Sequence, residues 1–148
     1  MILPDVNVLV CSFNEDAPDH ESYSRWLAET VGGPAAFGMS ELVLSAVVRI
    51  ATNPRILERP APVDRALDFT AALLAAPACV RVLPGPRHWS IFSSLCLMVG
   101  ARGGGVTDAY LAALAIESGS EWITADRGFA RFPGLSWRHP LHSPTWTT

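Results

Sequence analysis

Short apolar segments alternate with longer helical segments along most of this chain. The predicted strands are 2–4, 35–39, 79–83, 121–124 and an edge strand near 135–138. Apolar residues recur every three or four positions in the segments that follow, which predicts helices over 20–31, 41–50, 62–74, 88–99 and 108–118. Strands that alternate with helices pair in parallel, so the pattern predicts an α/β fold with a central, mostly parallel β-sheet flanked by helices.

The length and composition predict one folded domain. The chain has 148 residues, of which 49% are hydrophobic and 17% are charged. This charged share is below the usual value of about 25%, which excludes a disordered chain, and we interpret residues 1–148 as a single domain.

We expect the protein to be cytoplasmic. The most apolar stretch, 42–51, includes Arg49 and is shorter than the roughly 18 residues of a membrane helix. The first five residues contain Asp5 and no basic residue, which is not the pattern of a secretory signal.

Charge and cysteine content argue against a protein that binds duplex DNA and against a zinc or redox protein. The formal charge is −3, so the sequence contains no broad cationic surface of the kind that binds duplex DNA. The three cysteines, Cys11, Cys79 and Cys96, match no zinc or redox spacing. We expect them to be reduced residues of the core.

Four acidic residues stand at strand ends or at the helix starts that follow them: Asp5, Glu41, Asp108 and Asp126. Each has a simple structural explanation. Glu41 and Asp108 suit the first turn of a helix, Asp126 suits a turn before Gly128, and Asp5 could bind loop backbone. Four carboxylates at one sheet edge would nevertheless repel one another unless a divalent cation neutralised them. Oxygen ligands of this kind favour Mg²⁺ or Mn²⁺ over zinc.

Four motifs in this order carry a resemblance to a known family. They are Asp5-Val6-Asn7, Ser40-Glu41-Leu42, the run GVTDAYLAALA at 105–115 and the run ITADRGF at 123–129. From residue 1 to about 135 the chain resembles the PIN-domain ribonucleases, and in particular the VapC toxins of bacterial toxin–antitoxin pairs. The resemblance implies a PIN-like three-layer fold.

The resemblance also implies an activity and a partner. The expected activity is Mg²⁺- or Mn²⁺-dependent endonuclease cleavage of RNA, restrained by a cognate VapB-like antitoxin. The resemblance assigns catalysis and metal binding to the four acids, Asp5, Glu41, Asp108 and Asp126. It also implies that Asn7 and Thr124 are the polar residues that support them. Many relatives carry a further acid near the position of Gly128, which this chain lacks.

Two other functions remain open from the residues alone. A Mg²⁺-dependent phosphohydrolase of small substrates would use the same sheet edge, but it usually carries an Asp-x-Asp pair, and Asn7 stands where the second aspartate would be. A non-catalytic interaction module of PIN fold would use the acids only to bind arginines of a partner.

The apolar helices predict contacts with other proteins. The helix over 88–99 is apolar around much of its circumference, so we expect part of it, or of the helix over 42–50, to form a homodimer contact; the alternative is an enclosed core helix. We expect an antitoxin segment to dock beside Tyr23, Trp26 and Leu27 and the face of 63–74.

Overall fold

The computed structural model describes residues 1–142, which form five strands and six α-helices. In chain order they are β1 (Ile2–Pro4), α1 (Val6–Phe13), α2 (His20–Gly32), β2 (Phe37–Met39), α3 (Glu41–Ala51), α4 (Val63–Ala75), β3 (Cys79–Arg81), α5 (His88–Val99), α6 (Gly104–Ser118), β4 (Glu121–Ile123) and β5 (Trp137–Arg138). A 3₁₀ turn (Arg127–Arg131) lies between β4 and β5. Within the described residues, no helix is both long and apolar enough to cross a membrane. The single-domain interpretation extends past these residues at 143–148 and stays a prediction.

The strands form one sheet in the order β3-β2-β1-β4-β5, and all four pairings within residues 1–142 are parallel. The α/β prediction is therefore confirmed. Ile2 pairs with Phe37 on one side and with Glu121 on the other. The strand order reverses at β1, so the crevice beyond the carboxyl ends of β1 and β4 is a switch point, where ligands bind in sheets of this kind.

The core fills both faces of this sheet. Leu3, Phe37 and Trp122 are fully buried, as the continuous apolar strands of a covered parallel sheet require. Gly38 is needed at the centre, because a Cβ there would lie 2.7 Å from Cγ2 of Val82.

One predicted helix boundary is wrong. α6 begins at Gly104, four residues before the predicted start at Asp108, so Asp108 lies in the second turn and Thr107 does not cap the helix. Gly103 has a φ of +57°, which turns the chain into the helix, and the two following glycines adopt helical geometry. Ala109 and Ala112 of this helix are fully buried, and such tertiary packing overrides the low helix propensity of the two glycines.

The three cysteines are free, as predicted, but they are half-buried against the core rather than enclosed in it.

Candidate active site

Three of the four predicted acids meet at the carboxyl edge of the sheet. Asp5 follows β1, Asp126 follows β4, and Asp108 reaches the same place from α6. All three line one cleft of about 690 Å³. The topology therefore brings Asp5 to two carboxylates that are more than 100 residues from it in sequence.

Asp5 is the most buried of these residues and is fixed by three hydrogen bonds. The backbone N–H of Val6 donates to its Oδ1 (2.7 Å), while the Thr124 hydroxyl (2.7 Å) and the Asn7 amide (3.0 Å) donate to its Oδ2. Asn7 also donates to Oγ1 of Thr124 (3.1 Å) and accepts from the backbone N–H of Ala125 (3.1 Å). Asn7 and Thr124 thus contact the site where the resemblance placed them, and they tie α1 to the end of β4.

The surroundings of Asp5 favour its protonated form. Burial is the main cause that raises the pKa of Asp5 to about 6, and the negative charges of Asp108 and Asp126 make a smaller contribution in the same direction. The hydrogen bonds from Thr124 and Val6 act in the opposite direction. At neutral pH the cleft thus concentrates negative charge at a cost that a bound cation would offset.

Asp108 and Asp126 are joined through Arg131 and Gly128. The Arg131 guanidinium donates from Nη2 to Oδ2 of Asp108 (3.0 Å) and from Nη1 to the carbonyl of Gly128 (2.5 Å). The backbone N–H of Gly128 donates to Oδ1 of Asp126 (2.8 Å), which is the turn that the sequence predicted there. Sequence reasoning did not single out Arg131, because nothing local to it indicates which carboxylate it meets.

Glu41 is not brought into this cluster. It lies in the first turn of α3, where its Oε1 pairs with Nη1 of Arg81 on β3 (3.1 Å), and both side chains are exposed. The cleft is lined instead by its neighbours Leu42 and Val43. A role for Glu41 as a ligand stays a prediction.

The aspartates suit a hard divalent cation that keeps part of its water shell. Oδ1 of Asp108 and Oδ2 of Asp126 accept no hydrogen bond from any residue between 1 and 142. In the same range, no three Asp, Glu, His or Cys side chains are arranged to hold an ion by themselves. Mg²⁺ typically takes one or two carboxylates and completes its shell with water and substrate phosphates. The residues therefore fit an open site rather than a closed protein cage.

One wall of the cleft is apolar. It is made by Val6 and Val10 of α1 and by Leu42, Ala46 and Ile50 of α3. A side chain carried by a partner could therefore be buried next to the carboxylates.

The apolar stripe of α2 does not form this wall. Tyr23 and Leu27 are buried in the core, and Trp26 is half-buried against it. These side chains are therefore used for packing, and the antitoxin surface expected from the sequence is wrong at these two buried positions.

Comparison with known proteins identifies relatives over nearly the whole chain. A family model described as "PIN domain" matches residues 2–135. The chain is 42% identical over 145 residues to "Ribonuclease VapC43" of Mycobacterium tuberculosis, covering 98% of this chain and 99% of that protein.

Solved structures show the same fold at lower identity. VapBC2 from Rickettsia felis, bound to a DNA fragment from its promoter, matches with a TM-score of 0.67 and 17% identity, over 94% of this chain and 98% of that one. Mycobacterium tuberculosis VapC20, described as a Sarcin-Ricin loop cleaving toxin, matches with a TM-score of 0.63 and 16% identity, over 92% and 99%. The chain therefore has the three-layer architecture of these proteins.

Proposed function

This chain belongs to the PIN-domain family of VapC ribonucleases, and we propose that it is the toxin of a VapBC-type pair, an endoribonuclease that uses Mg²⁺ or Mn²⁺. The observation that carries the proposal is the meeting of Asp5, Asp108 and Asp126 at the switch point of the sheet. Near-complete coverage of a 42% identical relative named as a ribonuclease supports the activity.

The chain's own residues prepare the site for hydrolysis of a phosphodiester. A bound Mg²⁺ or Mn²⁺ ion would supply an activated water and offset charge on the phosphate. Asn7 and Thr124 fix the orientation of Asp5, so that one carboxylate is already in place before the ion and the substrate arrive. The free oxygens of Asp108 and Asp126 would be the other protein ligands of that ion.

The substrate that we propose is a single strand or a loop of RNA. The protein is acidic overall, so it lacks the extended basic surface that binds a duplex. Among residues 1–142, the lining of the cleft includes the cation Arg49 of α3, whose planar guanidinium is suited to a phosphate contact. Unstacked bases are also the part of RNA that proteins read most readily.

A cleavage assay tests this function. Purified protein is incubated with structured RNA in EDTA, Mg²⁺ or Mn²⁺, and we expect cleavage only with metal. Asp108→Asn removes a ligand while nearly preserving shape and should abolish most cleavage, whereas Asp68→Asn, an exposed carboxylate on α4, should not. Hydrolysis of a small phosphomonoester without RNA cleavage would favour a phosphohydrolase. No hydrolysis of either substrate would favour an interaction module.

We also propose that the antitoxin docks on the apolar wall of the cleft. An apolar segment could lie against Leu42 and Ala46 while its arginine or lysine faces the aspartates. Leu42 is 44% exposed, so Leu42→Ser should weaken binding of the antitoxin encoded beside this chain several-fold without unfolding the protein. The control is Leu83→Ser, the same substitution at an exposed leucine outside the cleft. Equal losses in both variants would contradict this docking surface.

A homodimer through α5 is the remaining part of the proposal. On this helix Trp89, Leu97 and Met98 are exposed, while His88 and Leu95 of the same helix are buried. The helix is therefore not enclosed, and its exposed face fits a second copy of the chain.

A further inference from the structure

Arg131 links the two elements that carry Asp108 and Asp126. Its guanidinium has one nitrogen on Oδ2 of Asp108, in α6, and the other on the carbonyl of Gly128, in the 3₁₀ turn. Gly128 in turn holds Oδ1 of Asp126 through its N–H. Hydrogen bonds through Arg131 and the backbone of Gly128 thus connect the two carboxylates, and Arg131 is not one of the residues that line the cleft.

The guanidinium is held in place by its surroundings. Its Cζ lies 4.4 Å from the centre of the Phe132 ring, which is buried. The planar group therefore has a fixed face as well as two fixed acceptors, a combination that a lysine could not match. The Arg131 and Asp108 side chains remain 37% and 32% exposed, so the ion pair itself adds little to stability. Folding stability alone therefore gives little reason for this geometry.

We infer that Arg131 is a positioning residue of the metal site, which orients Asp108 and sets its separation from Asp126. This inference rests on the proposed metal-dependent function. Arg131 occupies Oδ2 of Asp108, and Oδ1 accepts no hydrogen bond from residues 1–142, so it is left for a ligand. Its positive charge also offsets the repulsion between the two carboxylates while no ion is bound.

Gly128 is the residue that makes room for this arrangement. A Cβ at this position would lie 3.0 Å from Nη1 of Arg131 and 2.9 Å from Oδ1 of Asp126. A side chain there would displace the guanidinium, the carboxylate or both. The glycine and the arginine therefore act as one unit.

Direct measurement of Mn²⁺ affinity tests the inference without relying on cleavage. Unbound Mn²⁺ is quantified by electron paramagnetic resonance as the full-length protein is titrated. We expect Arg131→Gln to weaken binding about tenfold, the effect typical of removing a group that holds a metal ligand. Arg127→Gln removes the same charge from an exposed arginine of the same turn and should change affinity less than about twofold. Arg131→Lys keeps the charge but loses the two-acceptor geometry, so it should remain at least about threefold weaker than the wild type.

Several outcomes would overturn the inference. Unchanged or tighter Mn²⁺ binding in Arg131→Gln would show that the guanidinium only repels the ion or is incidental. Full binding by Arg131→Lys would show that charge alone suffices. If the wild type itself binds no Mn²⁺, the proposed function fails and the inference fails with it. If the wild type binds Mn²⁺ and Arg131→Gln binds it equally well, only the inference is overturned.

A double-variant comparison checks the coupling to Gly128. Gly128→Ala should weaken Mn²⁺ binding, and adding Arg131→Gln to it should then have a much smaller effect than in the wild type, since the same contact has already been lost. If the full effect of Arg131→Gln persists beside Gly128→Ala, the two residues do not form a unit. Circular dichroism of each variant confirms that the fold is retained.

Discussion

Replacing Asp5 by asparagine should make the metal-free protein more stable at neutral pH. Burial raises the pKa of Asp5 from 3.8 to about 6. The folded state then binds the proton more tightly than the unfolded chain, so ionisation of Asp5 costs stability. The cost is absent below about pH 4, grows as the pH rises, and is complete above about pH 6. About two pKa units correspond to about 3 kcal/mol at pH 8.

The amide removes this cost but loses one contact. Oγ1 of Thr124 already accepts from Asn7 and from the backbone N–H of Asp126, so the amide is best placed with its oxygen at the Oδ2 position. There it keeps the donors Asn7 and Thr124, while its NH₂ faces the backbone N–H of Val6 and that hydrogen bond is lost. The lost hydrogen bond costs about 1 kcal/mol, which leaves a net gain of about 2 kcal/mol. For a chain of this size the melting temperature should rise by about 4–8 °C at pH 8.

Calorimetry in EDTA at pH 8 and pH 4 measures the effect. We expect the gain of Asp5→Asn at pH 8 to disappear at pH 4, where both proteins are neutral at this position. Asp64→Asn, an exposed carboxylate on α4, is the matched control. A variant less stable than the wild type at pH 8, or one with the same gain at both pH values, would refute the reasoning. Mg²⁺ at a hundredfold excess over its Kd should stabilise only the wild type, by about 2.7 kcal/mol, and so reverse the order.

Three further predictions follow from individual contacts. Gly38→Ala should lower the free energy of unfolding, measured by urea denaturation, by about 1–3 kcal/mol because the new Cβ would lie 2.7 Å from Val82. Gly32→Ala should not lower it, because nothing lies within 4 Å of a Cβ at that position. Asn7→Ala should cost about 1–3 kcal/mol in the same assay, since it removes the acceptor of the partly buried backbone N–H of Ala125 and the donor to Asp5, and an unchanged midpoint would contradict this. Leu97→Glu places a charge at a position where the side chain is 85% exposed, and it should convert a dimer to a monomer in sedimentation velocity without lowering the melting temperature. A wild-type protein that is monomeric at micromolar concentration would contradict the dimer.

The fold class could be predicted because the signals for strands and helices are local. β1 and α5 have the predicted limits, since each is bounded by residues whose backbone preferences end the element. The start of α6 could not be predicted in the same way. A run of three glycines usually breaks a helix, and here the burial of the helix against the sheet overrides that preference.

The site shows the same division between local and tertiary information. The positions of Asp5, Asn7 and Asp126 followed from the sequence, because a residue just after a parallel strand must lie at the carboxyl edge of the sheet. The pairing of Glu41 with Arg81 did not, because α3 and β3 are separated by a helix and a long loop and meet only in the folded chain. For the same reason only the structure showed that Arg131 pairs with Asp108. Periodicity determines which face of an element is buried, while the partner of a charged side chain depends on packing between elements that are distant in sequence.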